Sequence, residues 1–318
     1  MGKKIRVNYF DVVGRALPPL DDAKVARAVE RLSATYRAGR HDLDFESEEG
    51  RAAYLWHHLP AHVCDLARLF TDLLDLLRGR EALKLVGLGA GPGSEVLALL
   101  EAVTSARARG DLEDLRRVEA VRVDREPAWD RSFGPLLREA RAQLERRDPS
   151  LGVEWTLEAR PRALVCDLGA GLPLDVLDEV RDATLVVAAN LVSEVAPRGT
   201  PELPEGLART ARRLLEALPA GASLLLVDRA GAPGVQERLE ALVELALEVR
   251  PGAQATGAET RETRCGCVLT RRGQALYQHV NLPTTRDEDR PVRNCNSAWR
   301  LILLEEPAEA PRGADLTG

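Results

Sequence analysis

The chain has 318 residues, 45% of them hydrophobic, and a formal net charge of −6. That length accommodates one large α/β domain with a smaller appendage, and the acidic balance excludes a general electrostatic attraction to nucleic acid. The five cysteines are scattered and odd in number, and no signal peptide is evident, so we expect a reduced, cytoplasmic protein. No apolar run approaches the ~20 residues needed to cross a membrane, so no membrane partner is expected.

Residues 1–80 predict a helical cap ahead of the main domain. The first predicted helix follows an aspartate suited to N-capping, and the second is predicted over 47–58, stopping before Pro60. The third opens on a proline, which is favoured in a first helical turn. The first and third carry apolar residues at helical spacing, and the three helices are predicted to begin near Asp22, Ser47 and Pro60.

From residue 81 onward, short apolar runs alternate with amphipathic segments, which is typical of a parallel sheet covered by helices. The apolar runs predict strands over 83–88, 118–123, 153–157, 163–166, 183–189, 223–227, 265–270, 274–280 and 298–304. The amphipathic segments predict helices over 94–103, 132–145, 203–218 and 234–249. We therefore predict an α/β, Rossmann-like fold with a mostly parallel, seven-stranded sheet over 81–306. A substrate-facing segment is predicted around 271–297, with a solvated connection between strands as the alternative. A disordered tail is predicted over 307–318.

A glycine-rich turn follows the first predicted strand. Gly89, Ala90, Gly91 and Gly93 stand between that strand and a helix. Strand, glycine turn and helix form a nucleotide-binding corner in α/β sheets, because glycine lets a ligand approach the backbone N–H groups. For a motif this short, a tight turn that binds nothing is the alternative.

Polar residues end three further strands at the same predicted edge: Asp124, Asp167 and Asn190. An acid at the end of the second strand can accept both hydroxyls of a ribose. Asp167 can accept from an adenine amino group, and the N–H of Leu168 can meet a ring nitrogen. Together they predict an adenosine-containing cofactor.

Two classes of cofactor fit this pattern, a nicotinamide dinucleotide and S-adenosyl-L-methionine. Glu95 places a carboxyl group in the first turn of the helix, where a pyrophosphate would bind, and this disfavours the dinucleotide. The sulfonium cofactor carries no phosphate. We therefore predict S-adenosyl-L-methionine, with an NAD-dependent Rossmann enzyme as an alternative.

The chain at this point resembles the class I S-adenosylmethionine-dependent methyltransferases over roughly residues 81–231. The matching motifs are Val86–Gly93, Val123–Arg125, Cys166–Leu168 and Asn190–Glu194. The resemblance implies a methyltransferase in which an acceptor N, O, S or C atom attacks the sulfonium methyl. The reaction would be accelerated mainly by alignment of the nucleophile, the methyl group and the sulfur in a pocket that excludes water. It also implies cofactor contacts from Arg125 and Trp129, although a core role suits Trp129 equally.

A more distant likeness is to the methyltransferase-like family of mitochondrial small-ribosomal-subunit assembly. The residues that carry it are Tyr54–Ala61, Asp124 with Arg125, Trp129 and Leu137, and Leu226–Pro233. A protein that binds S-adenosylmethionine without turnover, as an assembly or scaffold protein, is the second alternative.

The catalytic candidates are Asn190, where the methyl would emerge, and Glu194, a possible base for which a structural cap or salt bridge is the alternative. The candidates on the acceptor side are Tyr54, His58, Tyr277 and His279, with Tyr9 and Tyr36 as further aromatic residues. The acidic net charge slightly favours a peptide, protein or small-molecule acceptor over RNA.

Two groups of residues raise the question of a metal. Cys265 and Cys267 would share one face of a predicted strand and could bind an ion with Cys295, but buried free cysteines are common. His58 and His62 lack a third ligand at a known spacing. The sequence analysis therefore assigns no metal site.

Overall fold

The computed structural model describes residues 6–38, 43–195, 200–279 and 294–305. Its helices are α1 (Tyr9–Ala16), α2 (Asp22–Arg37), α3 (Glu48–His57), α4 (Leu59–Asp72), α5 (Ser94–Arg107), α6 (Asp130–Glu145), α7 (Leu174–Arg181), α8 (Val192–Val195), α9 (Glu205–Ala217), α10 (Val235–Val249) and α11 (Arg271–His279). Its strands are β1 (Ala82–Leu88), β2 (Arg117–Asp124), β3 (Thr156–Ala159), β4 (Leu164–Val165), β5 (Leu185–Ala189), β6 (Ser223–Arg229), β7 (Gln254–Arg264) and β8 (Asn294–Leu303). Short 3-10 helices cover Leu74–Leu77 and Pro127–Trp129.

The strands form one sheet in the order β3-β2-β1-β5-β6-β8-β7. β4 pairs with the end of β2 beyond β3, so the two short strands share one position at that edge. The strands from β1 to β6 pair in parallel, whereas β8 is antiparallel to both β6 and β7. The predicted Rossmann-like, mostly parallel sheet is confirmed.

The course of the chain through this sheet creates a crevice. From β1 the chain moves outward through β2 to β3 and β4, and then crosses back to β5 on the other side of β1. Helices that leave neighbouring strands in opposite directions separate at such a switch point, and ligands bind there, beyond the carboxyl ends of the strands.

Helices α1 to α4 confirm the predicted helical character of residues 1–80. Asp21 accepts hydrogen bonds from the backbone N–H groups that start α2, and Ser47 accepts one at the start of α3. These helices share a continuous apolar core with α5, α6 and one face of the sheet. Tyr9 of α1 links the two regions by donating to the Leu97 carbonyl of α5 at 3.2 Å.

Among the described residues, no helix combines the length and the apolar character that a membrane crossing requires.

The predictions near the C-terminal end of the sheet need correction. Residues 265–270 form no regular strand, and the strand predicted over 274–280 is helical as far as His279. The strand at this edge is instead β7, whose residues are mostly polar and exposed. An edge strand of this kind lacks the apolar pattern on which a sequence-based assignment depends. The predicted tail over 307–318 and residues 280–293 of the predicted substrate-facing segment lie outside the described residues.

Candidate functional site

The glycine turn after β1 adopts a backbone that other residues rarely adopt. Gly89, Gly91 and Gly93 have φ angles of 63°, 47° and 81°, in the left-handed region. The Gly91 N–H donates to Asp124 Oδ2 at 2.6 Å, which fixes the turn to the end of β2. A Cβ atom on Gly93 would stand only 2.5 Å from the Phe133 ring. The turn is therefore held closely by the elements around it.

Asp124 has a structural role in the turn as well as its predicted place in the cofactor site. Its other oxygen, Oδ1, accepts from the Glu126 N–H at 2.8 Å, and the residue is only 8% exposed. Burial raises the pKa of this carboxyl group. Beneath it, the buried Arg122 donates to the Gly91 carbonyl at 3.1 Å and pairs with Asp130 at 2.6 Å. The guanidinium group thus supports the turn from behind.

Glu95 is buried in the first turn of α5, against the backbone of β1. A Cβ atom on Gly87 would lie 2.2 Å from Glu95 Oε1, so the absence of a side chain at Gly87 makes room for this carboxyl group. Burial raises the pKa of Glu95 to about 8. The negative charge that the sequence analysis assigns to Glu95 is therefore mostly absent at neutral pH, and other carboxyl groups determine the charge of the site.

A pocket opens at the carboxyl edge of the sheet, beside the switch point. Most of the cofactor residues predicted from sequence line it together: Gly89, Gly91, Asp124, Arg125, Trp129, Asp167, Leu168 and Asn190. Ala90 and Gly93 do not line it. The Ala90 N–H donates to the Val123 carbonyl at 3.0 Å, and Gly93 faces Phe133. These two residues shape the turn rather than the surface of the pocket.

The pocket carries an excess of acidic side chains. Asp124, Glu126, Asp167 and Glu194 line it, whereas Arg125 is the single cationic side chain among its described lining residues. A cavity lined mainly by one sign of charge attracts ligands of the opposite sign. This surface suits a cationic ligand better than a pyrophosphate.

Three aromatic rings form a wall of the same pocket. The centroid of Phe45 lies 4.7 Å from that of Trp129 and 5.5 Å from that of Tyr54, and the Tyr54–Trp129 distance is 5.3 Å. Aromatic faces at such distances form a surface for a flat base or for a cation. The sequence analysis missed Phe45, because it lies in the connection before α3 and reaches the pocket only through the packing of the N-terminal helices.

Asn190 and Glu194 lie at the end of β5 and in α8. Asn190 has a φ of 57°, unusual for a residue other than glycine, and its N–H donates to the Val227 carbonyl at 2.7 Å. Glu194 Oε1 accepts from the Tyr36 hydroxyl at 3.2 Å. Burial, with a further contribution from the nearby Asp228 carboxylate, raises the pKa of Glu194 to about 7. A carboxyl group with this pKa can exchange a proton near neutral pH.

Three of the acceptor-side candidates lie at or beside this pocket. Tyr36 and Tyr54 line it directly. The His58 ring lies behind, with its centroid 5.1 Å from the Tyr54 ring and 5.2 Å from the Tyr36 ring. His58 therefore positions the two tyrosines that face the pocket.

Tyr277 and Tyr9 are not brought to the pocket. Tyr277 is 1% exposed, and its hydroxyl donates to the Trp56 carbonyl at 3.4 Å within the core under the N-terminal helices. Tyr9 is likewise fully buried, at 0% exposure. The side chain of His279 lies outside the described residues.

Comparison with known proteins places the chain near solved methyltransferase structures only at low similarity. No family model and no curated protein matches the sequence. Precorrin-6y C5,15-methyltransferase from Geobacter metallireducens matches with 13% identity over 75% of this chain and 87% of that chain, at a TM-score of 0.39. An arsenic(III) S-adenosylmethionine methyltransferase from Chlamydomonas reinhardtii matches with 14% identity over 77% and 75%, at 0.37. A TehB-like SAM-dependent methyltransferase from Corynebacterium glutamicum matches with 14% identity over 90% and 100%, at 0.32.

Identities of 13–14% and TM-scores of 0.32–0.39 are too low to assign the chain to a family or to transfer a function. The strand order and the residues that line the pocket show the topology and the site directly in this chain. The chain is a Rossmann-like α/β protein whose glycine turn and strand ends form one acidic, aromatic-walled pocket at the switch point of the sheet.

Proposed function

We propose that this protein transfers a methyl group from S-adenosyl-L-methionine to a peptide, protein or small-molecule acceptor. The observation that carries this proposal is the lining of the pocket, in which four carboxyl groups outnumber one arginine. A dinucleotide would bring a pyrophosphate into this surface, whereas S-adenosylmethionine brings a sulfonium and an ammonium group. The aromatic wall adds a favourable surface for an adenine ring or for a cation.

The lining residues suggest how the cofactor would be held. Asp124 would accept from the ribose hydroxyls, and Asp167 with the N–H of Leu168 would recognise the edge of the adenine. Asp167 Oδ1 already accepts from the Gly169 N–H at 2.9 Å, so the direction of this carboxylate is set before any ligand binds. Gly89 and Gly91 would allow close approach to the backbone.

When bound, S-adenosylmethionine would supply an electrophilic methyl group to the acceptor's nucleophilic atom and would leave as S-adenosylhomocysteine. The contribution of the chain is to orient the acceptor, exclude water and accept a proton where the nucleophile carries one. Glu194 would accept that proton, which its pKa of about 7 and its hydrogen bond from Tyr36 support. Asn190 lines the same end of the pocket and contributes a polar side chain to positioning.

The test is a calorimetric titration of the purified protein with S-adenosylmethionine, S-adenosylhomocysteine and NAD in parallel. We expect binding of the two sulfur compounds and not of NAD. Binding of NAD alone, or of none of the three, would refute the proposal.

The second step measures transfer of labelled methyl groups into fractionated lysate. Label in protein or small-molecule fractions is expected, and label that ribonuclease removes would instead assign an RNA acceptor. Binding of S-adenosylmethionine without transfer into any fraction would favour the scaffold alternative, since a protein without turnover would use the same pocket.

A further inference from the structure

Three cysteines that are distant in sequence meet below the N-terminal helices. Cys64 lies on α4, whereas Cys265 and Cys267 follow β7 directly. The Cys64 sulfur is 3.4 Å from that of Cys265 and 3.6 Å from that of Cys267, and all three sulfurs lie within 4.8 Å of one another. Cys265 and Cys267 are 5% and 3% exposed. The structure thus adds Cys64 to the pair that the sequence analysis considered only with Cys295.

The spacing of the three sulfurs suits a single metal ion. A tetrahedral ion with metal–sulfur bonds of about 2.3 Å separates its sulfur ligands by about 3.8 Å, so small side-chain rotations would complete the geometry. The three residues are free cysteines, and their sulfur distances are far beyond the ~2.05 Å of a disulfide bond. Thiolate ligands favour soft or borderline ions such as Zn²⁺.

The surroundings hold the three cysteines in a defined arrangement. The Cys265 thiol donates to the Pro60 carbonyl at 3.5 Å, and the Cys267 thiol donates to the Val7 carbonyl at 3.7 Å. A Cβ atom on Gly266 between them would lie 2.4 Å from a guanidinium nitrogen of Arg6, so Arg6 packs closely over this segment. The Cys265–Cys267 segment is therefore fixed against α4 and against the chain that precedes α1.

A cavity of about 360 Å³ leads to the cluster from the surface. Its lining includes Cys64 and Cys267, five arginines and two acids, namely Arg6, Arg68, Arg109, Arg261, Arg264, Asp72 and Glu101. Three thiolates around one divalent ion carry a net negative charge, which nearby cations offset. The cavity also supplies the entry path that a metal site needs.

We propose that Cys64, Cys265 and Cys267 bind one soft divalent metal ion, with Zn²⁺ as the best match, and that the fourth coordination position faces the arginine-lined cavity. Such an ion would join α4 to the segment between β7 and α11. This site is separate from the pocket at the carboxyl edge of the sheet and does not depend on methyl transfer.

The first test uses the wild-type chain, purified with a phosphine reductant and freed of metal. Addition of Zn²⁺ should give one bound ion per chain, and Co²⁺ should give thiolate-to-metal charge-transfer absorption at the same stoichiometry. Bound Zn²⁺ should protect Cys64, Cys265 and Cys267 from alkylation while leaving the reaction of Cys166 unchanged. Absence of stoichiometric binding, or a Cys64–Cys265 disulfide in place of the bound ion, would overturn the proposal.

The second test uses variants with a matched control. Cys64→Ser and Cys267→Ser should each weaken Zn²⁺ binding by about 100-fold or more, because each removes one of three ligands. Cys166→Ser also changes a buried cysteine, whose thiol donates to the Gly171 carbonyl at 3.3 Å, but it should leave Zn²⁺ affinity unchanged. Circular dichroism checks that each variant is folded. If a variant does not fold, the alkylation result on the wild-type chain tests the proposal in its place. Equal Zn²⁺ affinity in folded Cys64→Ser would refute the assignment.

Discussion

Replacing Asp124 with alanine tests the centre of the proposed cofactor site. Its carboxylate accepts from the Gly91 N–H at 2.6 Å and from the Glu126 N–H at 2.8 Å, and the residue is 8% exposed. The substitution would remove the proposed ribose acceptor and would also release a hydrogen bond that fixes the glycine turn. A lost charge-assisted hydrogen-bond pair corresponds to about 1–3 kcal/mol of binding free energy. We therefore expect S-adenosylmethionine to bind about 5- to 150-fold more weakly.

The assay is calorimetry on folded protein, with two companion variants. Asp124→Asn keeps the shape and one acceptor oxygen, so its affinity should fall between those of the wild type and Asp124→Ala. Asp182→Ala is the control, because the Asp182 side chain is 79% exposed and lies on another part of the surface, beside Lys84. Its affinity should not change. Unchanged affinity in a folded Asp124→Ala variant would refute the proposed ribose contact.

Three further predictions address the turn, the buried acid behind it and the proposed base. Gly93→Ala should lower the free energy of unfolding by about 1–3 kcal/mol or more in urea denaturation, because its φ is 81° and a Cβ atom would meet the Phe133 ring. Gly231→Ala is the control, since its surroundings are open, and it should change this free energy by less than about 0.5 kcal/mol. Equal effects of the two substitutions would contradict the prediction. The pKa of Glu95 is raised to about 8, so the folded state holds the proton of this carboxyl group more strongly than the unfolded state does. The wild type should therefore lose stability relative to Glu95→Gln as pH rises from about 4.5 to 8. A difference in unfolding free energy that stays constant over this range would refute the raised pKa. Glu194→Gln should lower kcat at saturating S-adenosylmethionine and abolish a rise in rate around pH 7, measured with the acceptor that the labelling assay identifies. A change in cofactor affinity with kcat and its pH dependence unaltered would contradict a role as base.

The sequence by itself determined the parallel core of the fold and the residues at its carboxyl edge. Buried parallel strands are continuous apolar runs, and the runs at β1, β5 and β6 end at polar or glycine residues that can be located without a structure. Parallel strands place their carboxyl ends at one edge, so Asp124, Asp167 and Asn190 could be grouped in advance. The turn itself was recognisable because its glycines have no efficient substitute at positive φ.

Other features depended on tertiary packing. β7 is a polar edge strand with little apolar pattern of its own, and α11 is anchored by buried residues such as Tyr277, which pack into the core under α1 and α3. Phe45 faces the pocket, and Tyr277 does not, because the N-terminal helices fold over one face of the sheet. Local periodicity contains no information about which distant face a side chain will meet.

The pKa values and the cysteine cluster depended on tertiary packing for the same reason. Glu95 looks like an ordinary acid at the start of a helix, and only its burial against Gly87 raises its pKa to about 8. Cys64 stands about 200 positions before Cys265, and the packing of α4 against the end of β7 brings their sulfurs to 3.4 Å. Local patterns of residues predict strand ends and turns, whereas desolvation of side chains and contacts between distant segments exist only once the chain has folded.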